Sequence, residues 1–266
     1  MSELPTSAPQ LRAETRDGVR WIIADNQPRL NAYTKSMWAA LPGSVADAEA
    51  DPDVRVIVLA GAGDKAFSAG ADISEFETGR TAAQAGEYDT LNHAAFEAVA
   101  RAAKPTIAAI RGFCMGGGLE LAICCDLRLA ADDARLAIPA AKLGIGYNPR
   151  WIRPMLAVVS PAHAKELLYT GRRYSAEQAF AMGLLNSVHP ADELTSAVTA
   201  LAGEIAANAP LSILAAKRAI DEFVDHPQSP DLAALDTLVD ACFGSEDYIE
   251  GRRAFMEKRK PKFRGL

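Results

Sequence analysis

Thr106-Ile107-Ala108-Ala109-Ile110-Arg111-Gly112-Phe113-Cys114-Met115-Gly116-Gly117-Gly118-Leu119-Glu120 runs an apolar strand into three glycines and the start of a helix. Residues 106–110, entered through Lys104-Pro105, are short, apolar and rich in β-branched side chains, which reads as a buried strand. Gly116-Gly117-Gly118 then exposes N–H groups that lack an intrahelical acceptor and sit at the positive end of a helix dipole. Such groups suit a developing oxyanion. Taken alone, a glycine-rich corner of this kind is as well explained by a tight strand-to-helix turn.

The same β-then-glycine order occurs upstream. Residues 19–23 and 54–59 read as strands on either side of a helical stretch at about 33–49. A Gly61-Ala62-Gly63 turn follows, and then Lys65-Ala66-Phe67-Ser68-Ala69-Gly70-Ala71-Asp72-Ile73. Small residues there let backbone amides approach a ligand, and Gly70 can take dihedrals that aim the Ala71 N–H outward. Residues 126–130 and 136–138 predict two more strands, so the first half is a stack of β/α units. From about residue 161 strand signals fade. Ser160-Pro161 is an N-cap and N1 pair, Ser175-Ala176-Glu177-Gln178 a capping box closed by Gly183, and Ser245-Glu246-Asp247 opens a last helix ending at Arg259 and Lys260.

The chain has 266 residues, 49% hydrophobic and 23% charged, which is enough to bury a large core and typical of a soluble globular protein. A net charge of −6 argues against a broad nucleic-acid or anionic-membrane surface, although Lys258-Arg259-Lys260 can meet phosphate locally. Cys114, Cys124, Cys125 and Cys242 form no Cys-x-x-Cys pair and have no histidine at zinc-ligand spacing, so buried free thiols and no metal are expected. Residues 1–11 read as a loose polar leader without an apolar targeting segment. No run of 18 apolar residues occurs, and a reducing, cytoplasmic setting is expected.

Glycine turns after successive strands of a β/α stack can converge on one oxygen, and this pairing resembles the enoyl-CoA hydratase/isomerase (crotonase) superfamily. The resemblance extends over Arg29-Leu30-Asn31-Ala32, both glycine segments, residues 121–129 and 167–183, and the ending Glu250-Gly251-Arg252-Arg253-Ala254-Phe255-Met256-Glu257-Lys258-Arg259-Lys260-Pro261. It implies an α/β fold, a spiral of ββα units over residues 1–190, and a C-terminal helical region over 191–266 that assembles a homotrimer or a dimer of trimers. It further implies an acyl-CoA substrate, with coenzyme A carried as part of that substrate and no separate cofactor. By the resemblance, the oxyanion-hole donors are the N–H groups of Ala71 and Gly117. Adenine meets the backbone of Ala69, Asp72 and Ile73, and Phe255 and Lys258 help hold the nucleotide, often from a neighbouring subunit.

Glu120 lies three residues after Gly117, on the first turn of the same helix, and matches one of the two acid/base glutamates of family hydratases. The second, which follows a proline, is replaced by Ala140 after Pro139. Leu143-Gly144-Ile145-Gly146-Tyr147-Asn148 in turn resembles a segment of methylmalonyl-CoA decarboxylase, where the tyrosine lies in the active site. A phenol stays protonated at pH 7, so Tyr147 is expected to orient a substrate carboxylate by hydrogen bonding. Hydration or dehydration of an enoyl-CoA is therefore the leading expectation. Decarboxylation of a malonyl-type CoA, double-bond isomerisation and non-catalytic CoA binding remain open. Dinucleotide binding at Gly61-Ala62-Gly63-Asp64-Lys65-Ala66 is disfavoured by the poor helix former that follows, and no Gly-x-Ser-x-Gly elbow is present.

Overall fold

A computed structural model of the chain describes residues 8–72, 75 and 82–266. The loose leader gives way to a strand earlier than expected: β1 (Gln10–Arg16) pairs antiparallel with β2 (Val19–Asp25) across Asp17-Gly18. Both turn residues have positive φ, 49° and 76°, the mirror-turn geometry that matches the twist of a two-residue hairpin. β1 is largely solvated, so apolar alternation could not reveal it, and the Asp-Gly dipeptide was its one signal.

After α1 (Lys35–Ala50) the chain repeats a strand–strand–helix unit. The units are β3 (Val56–Gly61), β4 (Ala66–Ser68) and α2 (Ala82–Ala100); β5 (Thr106–Ile110), β6 (Phe113–Met115) and α3 (Gly117–Ile123); β7 (Leu127–Ala131), β8 (Arg135–Ala137) and α4 (Pro149–Val158). Later come β9 (Tyr174–Ser175) and β10 (Ser187–His189). The first strand of each unit joins a six-stranded sheet ordered β1-β2-β3-β5-β7-β10, and the second joins a four-stranded sheet ordered β4-β6-β8-β9. This is the α/β spiral of ββα units that the sequence implied.

β3, β5 and β7 pair in parallel and are buried on both faces, the condition for near-continuous apolar runs. On one face Val58, Ile107 and Leu129 meet Val198 and Ala202 of α7 (Leu194–Ala206). On the other, Ile57, Leu59 and Ile110 join the main core with Trp38 and Leu41 of α1. β4 and β6, three residues each, were read from sequence only as parts of glycine turns, because so short a strand offers no periodicity. The fingerprint-like Gly61–Ala66 stretch leads into β4, not a helix. Residues 82–90 form the first half of α2.

The C-terminal third is helical: α5 (Pro161–Thr170), α6 (Ala176–Ala181), α7, α8 (Pro210–Asp225), α9 (Leu232–Phe243) and α10 (Glu246–Met256). Its starts are capped as the sequence predicts, by Ser160, by the Ser175/Gln178 box and by Ser245. Strand signals fade there without vanishing, since β9 and β10 extend the two sheets. Ile220, Phe223, Phe243, Ile249, Phe255 and Met256 leave an apolar face of α8, α9 and α10 in solvent. Among the described residues no single helix is long and apolar enough to cross a membrane.

Candidate active site

The small sheet sets the site. β4, β6 and β8 are adjacent and parallel, so the segments leaving their C-terminal ends emerge side by side. Those segments carry Ala69 to Asp72, Gly116 to Glu120, and Pro139 to Tyr147. The carboxyl ends of parallel strands are where open α/β sheets place ligands.

Glycine is required where the first two segments touch. Gly70 has φ 91°, and a Cβ there would stand 2.8 Å from Met115 O and 3.2 Å from Gly117 N. A Cβ on Gly118 would stand 2.7 Å from both Cβ and O of Ser68, so α3 can seat against β4 only without a side chain at this position. The bridge between Tyr33 and Ala71 uses Tyr33 N to Gly70 O, 2.7 Å, and Asp72 N to Tyr33 O, 2.9 Å. Among the described residues neither the Ala71 nor the Gly117 N–H donates a hydrogen bond, and the two lie on touching segments.

Asn31 fixes this geometry, a role that sequence reasoning did not assign. Its Nδ2 donates to Ala62 O at 2.9 Å and Ala66 O at 2.7 Å, its Oδ1 accepts from Asn26 N, and Leu30 O accepts from Ala69 N. Ala69 is half-buried and Asp72 buried, while Ile73 lies outside the described residues. Phe255 lies in the last turn of α10 and Lys258 just beyond it. Phe255 is 82% exposed, and no hydrogen bond or ion pair among the described residues joins either residue to the Ala69–Asp72 backbone.

Glu120 is 1% exposed. The Tyr147 hydroxyl donates to its Oε2, whereas Oε1 is buried without a hydrogen-bond partner among the described residues. Burial pushes the carboxyl up to about 8, against a smaller downward pull from the Tyr147 hydrogen bond. The phenol is itself raised, by burial first and then by Glu120, and so remains a donor. A carboxyl raised to about 8 is largely protonated at neutral pH, with the Tyr147 hydroxyl on Oε2 and Oε1 left without a partner among the described residues. Ala140 packs partly buried against the core.

An aromatic chain supports the pair. Tyr33 stacks on Trp38 at 4.2 Å, Trp38 meets Phe96 at 5.4 Å, Phe96 meets Trp151 at 5.3 Å, and Trp151 meets Tyr147 at 5.7 Å. Nothing in the local sequence separates these rings from ordinary core aromatics. Asp126 is structural: Oδ2 accepts from Thr106 N and Oγ1 and from Lys217 Nζ. Cys114, Cys124 and Cys125 are buried and Cys242 half-buried, all as free thiols.

The neutral carboxyl has a cost that can be measured. Between the ordinary glutamate range and about pH 8 the folded protein holds a proton that the unfolded chain has lost, so stability falls with rising pH by up to about 1.4 kcal/mol per unit. Glu120→Gln removes this dependence. Denaturant unfolding from pH 5 to 9 is expected to show the variant gaining on the parent up to about pH 8 and then holding a constant lead. Parallel stability curves would place the shifted group elsewhere.

Known proteins resemble the chain in sequence and fold. The model of the family "Enoyl-CoA hydratase/isomerase" matches residues 14–265. A crotonyl-CoA hydratase of Syntrophomonas wolfei is 36% identical over 243 residues, 91% of this chain and 93% of its own. A carnitinyl-CoA dehydratase of Salmonella enteritidis is 32% identical over 255 residues, 94% and 97% of the two chains. The crystal structure of an enoyl-CoA hydratase/carnithine racemase from Magnetospirillum magneticum superposes with a TM-score of 0.92 at 37% identity, covering 98% of this chain and 97% of that one. With the family model spanning all three ββα units and most of the helical region, the chain is an enzyme that belongs to the enoyl-CoA hydratase/isomerase family, within the crotonase superfamily.

Proposed function

We propose that the chain adds or removes water across the α,β bond of an acyl-CoA thioester. The observation that carries the reading is the approach of Gly70 to Gly117 N, which sets two undonated N–H groups together one helical turn from a neutral, buried glutamic acid. The thioester oxygen sits between the Ala71 and Gly117 N–H groups, which stabilise the enolate more than the ground state. In hydration, water attacks the β-carbon and electrons move onto the thioester oxygen. Glu120 gives its Oε1 proton to the α-carbon and regains one from the attacking water. With Ala140 in place of a second glutamate, one carboxyl performs both transfers.

The likeness to crotonyl-CoA hydratase and carnitinyl-CoA dehydratase supports this choice. Coenzyme A is part of the substrate, and no further cofactor is invoked. The Ala69 to Ile73 backbone receives the adenine. Phe255 and Lys258, exposed at the C-terminal end of the helical region, serve a neighbour's nucleotide in a trimer or dimer of trimers, for which the solvated apolar face of α8, α9 and α10 supplies the surface. A cytoplasmic enzyme without membrane or nucleic-acid partners fits the acidic balance of the sequence.

One observation favours a second reading. Loss of CO2 from a malonyl-type thioester leaves an enolate without any base, and a neutral Glu120 suits its protonation. Here Tyr147 acts through Glu120, since its proton is committed to Oε2. Incubation with crotonyl-CoA and, separately, methylmalonyl-CoA decides between them. Formation of the 3-hydroxyacyl thioester is expected. CO2 release without hydration would replace the first reading with the second, and failure of both would refute the two together.

A further inference from the structure

Behind the catalytic groups lies a space that none of them lines. A cavity of about 980 Å³ opens between α2, α4, α8 and the far end of α3, large enough for a small-molecule group. Ala71, Gly117, Glu120 and Tyr147 do not border it, but Phe96, Cys124 and Trp151 do. These three also face the site. A Cβ at Gly117 would stand 3.9 Å from Phe96 Cζ, Trp151 meets Tyr147 edge-on at 5.7 Å, and Cys124 lies one helical turn beyond Glu120. Two rings and a thiol thus divide the glutamate from the cavity.

The direction of an acyl chain follows from the same geometry. With the thioester oxygen at Gly117 and the reacting carbons within reach of Glu120, an acyl chain directed along α3 would approach Cys124, about 10 Å from Gly117 at the helical rise. It then meets the indole of Trp151, which is pinned between Phe96 and Tyr147. The far wall carries Arg153, Lys217, Asp221 and Asp225. Trp151 Nε1 and Asp221 Oδ2 are buried there without hydrogen-bond partners among the described residues.

Resting on the acyl-CoA reading above, we propose that Trp151 is a specificity-determining residue that confines the site to short acyl groups. The cavity behind it is a distal compartment that the indole keeps closed. Phe96 completes the partition but is buried in the core beneath Gly117, whereas Trp151, in the first turn of α4, is only partly buried and is the member that substitution can open.

The test is binding of saturated thioesters, which needs no turnover. Calorimetry on the full-length protein compares butyryl-CoA with decanoyl-CoA for the parent, Trp151→Leu, Trp151→Ala, and Trp151→Ala combined with Ala157→Phe, the last refilling the cavity from α4. Each buried methylene is worth roughly fourfold in affinity, so Trp151→Ala is expected to raise the decanoyl preference at least about tenfold. Trp151→Leu should raise it less, and Ala157→Phe should return it towards the parent while leaving butyryl binding intact. A parent whose affinity already climbs steadily from butyryl to decanoyl overturns the proposal, whether or not the variants fold. So does an unchanged preference in Trp151 variants that keep the parent's melting profile. If no thioester binds the parent, the acyl-CoA reading falls as well; butyryl binding with an unmoved preference overturns the Trp151 role alone.

Discussion

Gly117→Pro is expected to fold and to lose about 10²–10³ in kcat, equivalent to about 2.7–4 kcal/mol of transition-state stabilisation. Gly117 is the first residue of α3, where proline's missing N–H and fixed φ cost a helix little. A Cβ there meets Trp38 only at ordinary contact distance, 3.5 Å and more. The added Cβ therefore evicts no neighbour, and the ring nitrogen carries no donor to the oxyanion hole. The reading requires loss in kcat with an unfolding midpoint near the parent's, for hydration and for decarboxylation alike. A folded Gly117→Pro protein with full turnover would take Gly117 out of the site. Gly118→Pro could not make the same test, because any atom added there strikes Ser68.

Particular segments show how far the sequence could be read. The long strands and capped helices were legible because burial on both faces forces apolar runs and because caps need particular side chains: β3, β5 and β7, and the starts of α5, α6 and α10, lie within two residues of their expected places. β1 was lost because a solvated hairpin strand needs no apolar face, and β4 and β6 because three residues cannot display a period. Of the site, the two glycine segments and Glu120 could be named, since backbone approach and a carboxyl near exposed N–H groups have sequence correlates. The partner of Tyr147 could not. A phenol 27 residues from a carboxylate has no sequence sign of contact, and the expectation that it would meet a substrate carboxylate directly has to accommodate a hydrogen bond to Glu120. Trp151 was invisible for a related reason: its importance comes from what lies on its two sides.

Glu120→Gln is the sharper test of chemistry. Glutamine keeps the shape of the side chain and can still accept the Tyr147 hydrogen bond, so the fold and thioester binding should survive. Proton transfer at Oε1 cannot, and kcat for hydration should fall by about 10²–10⁴. The pH profile adds a sign. With burial holding the carboxyl at about 8, the proton-donating form is present below that pH and is lost above it. The parent's kcat/KM should therefore decline as pH rises through about 8, while Glu120→Gln is low and flat. Tyr147→Phe withdraws the hydrogen bond that favours the carboxylate, so its declining limb should move to higher pH, with a smaller loss of rate. That displacement separates a positioning phenol from one that merely packs, since loss of packing against Trp151 alone would lower the rate without moving the limb. A parent profile that instead rises through about pH 8 would make the carboxylate the working form. Glu120 would then act first as a base on water, and donation to the α-carbon would have to follow from the proton it had just taken.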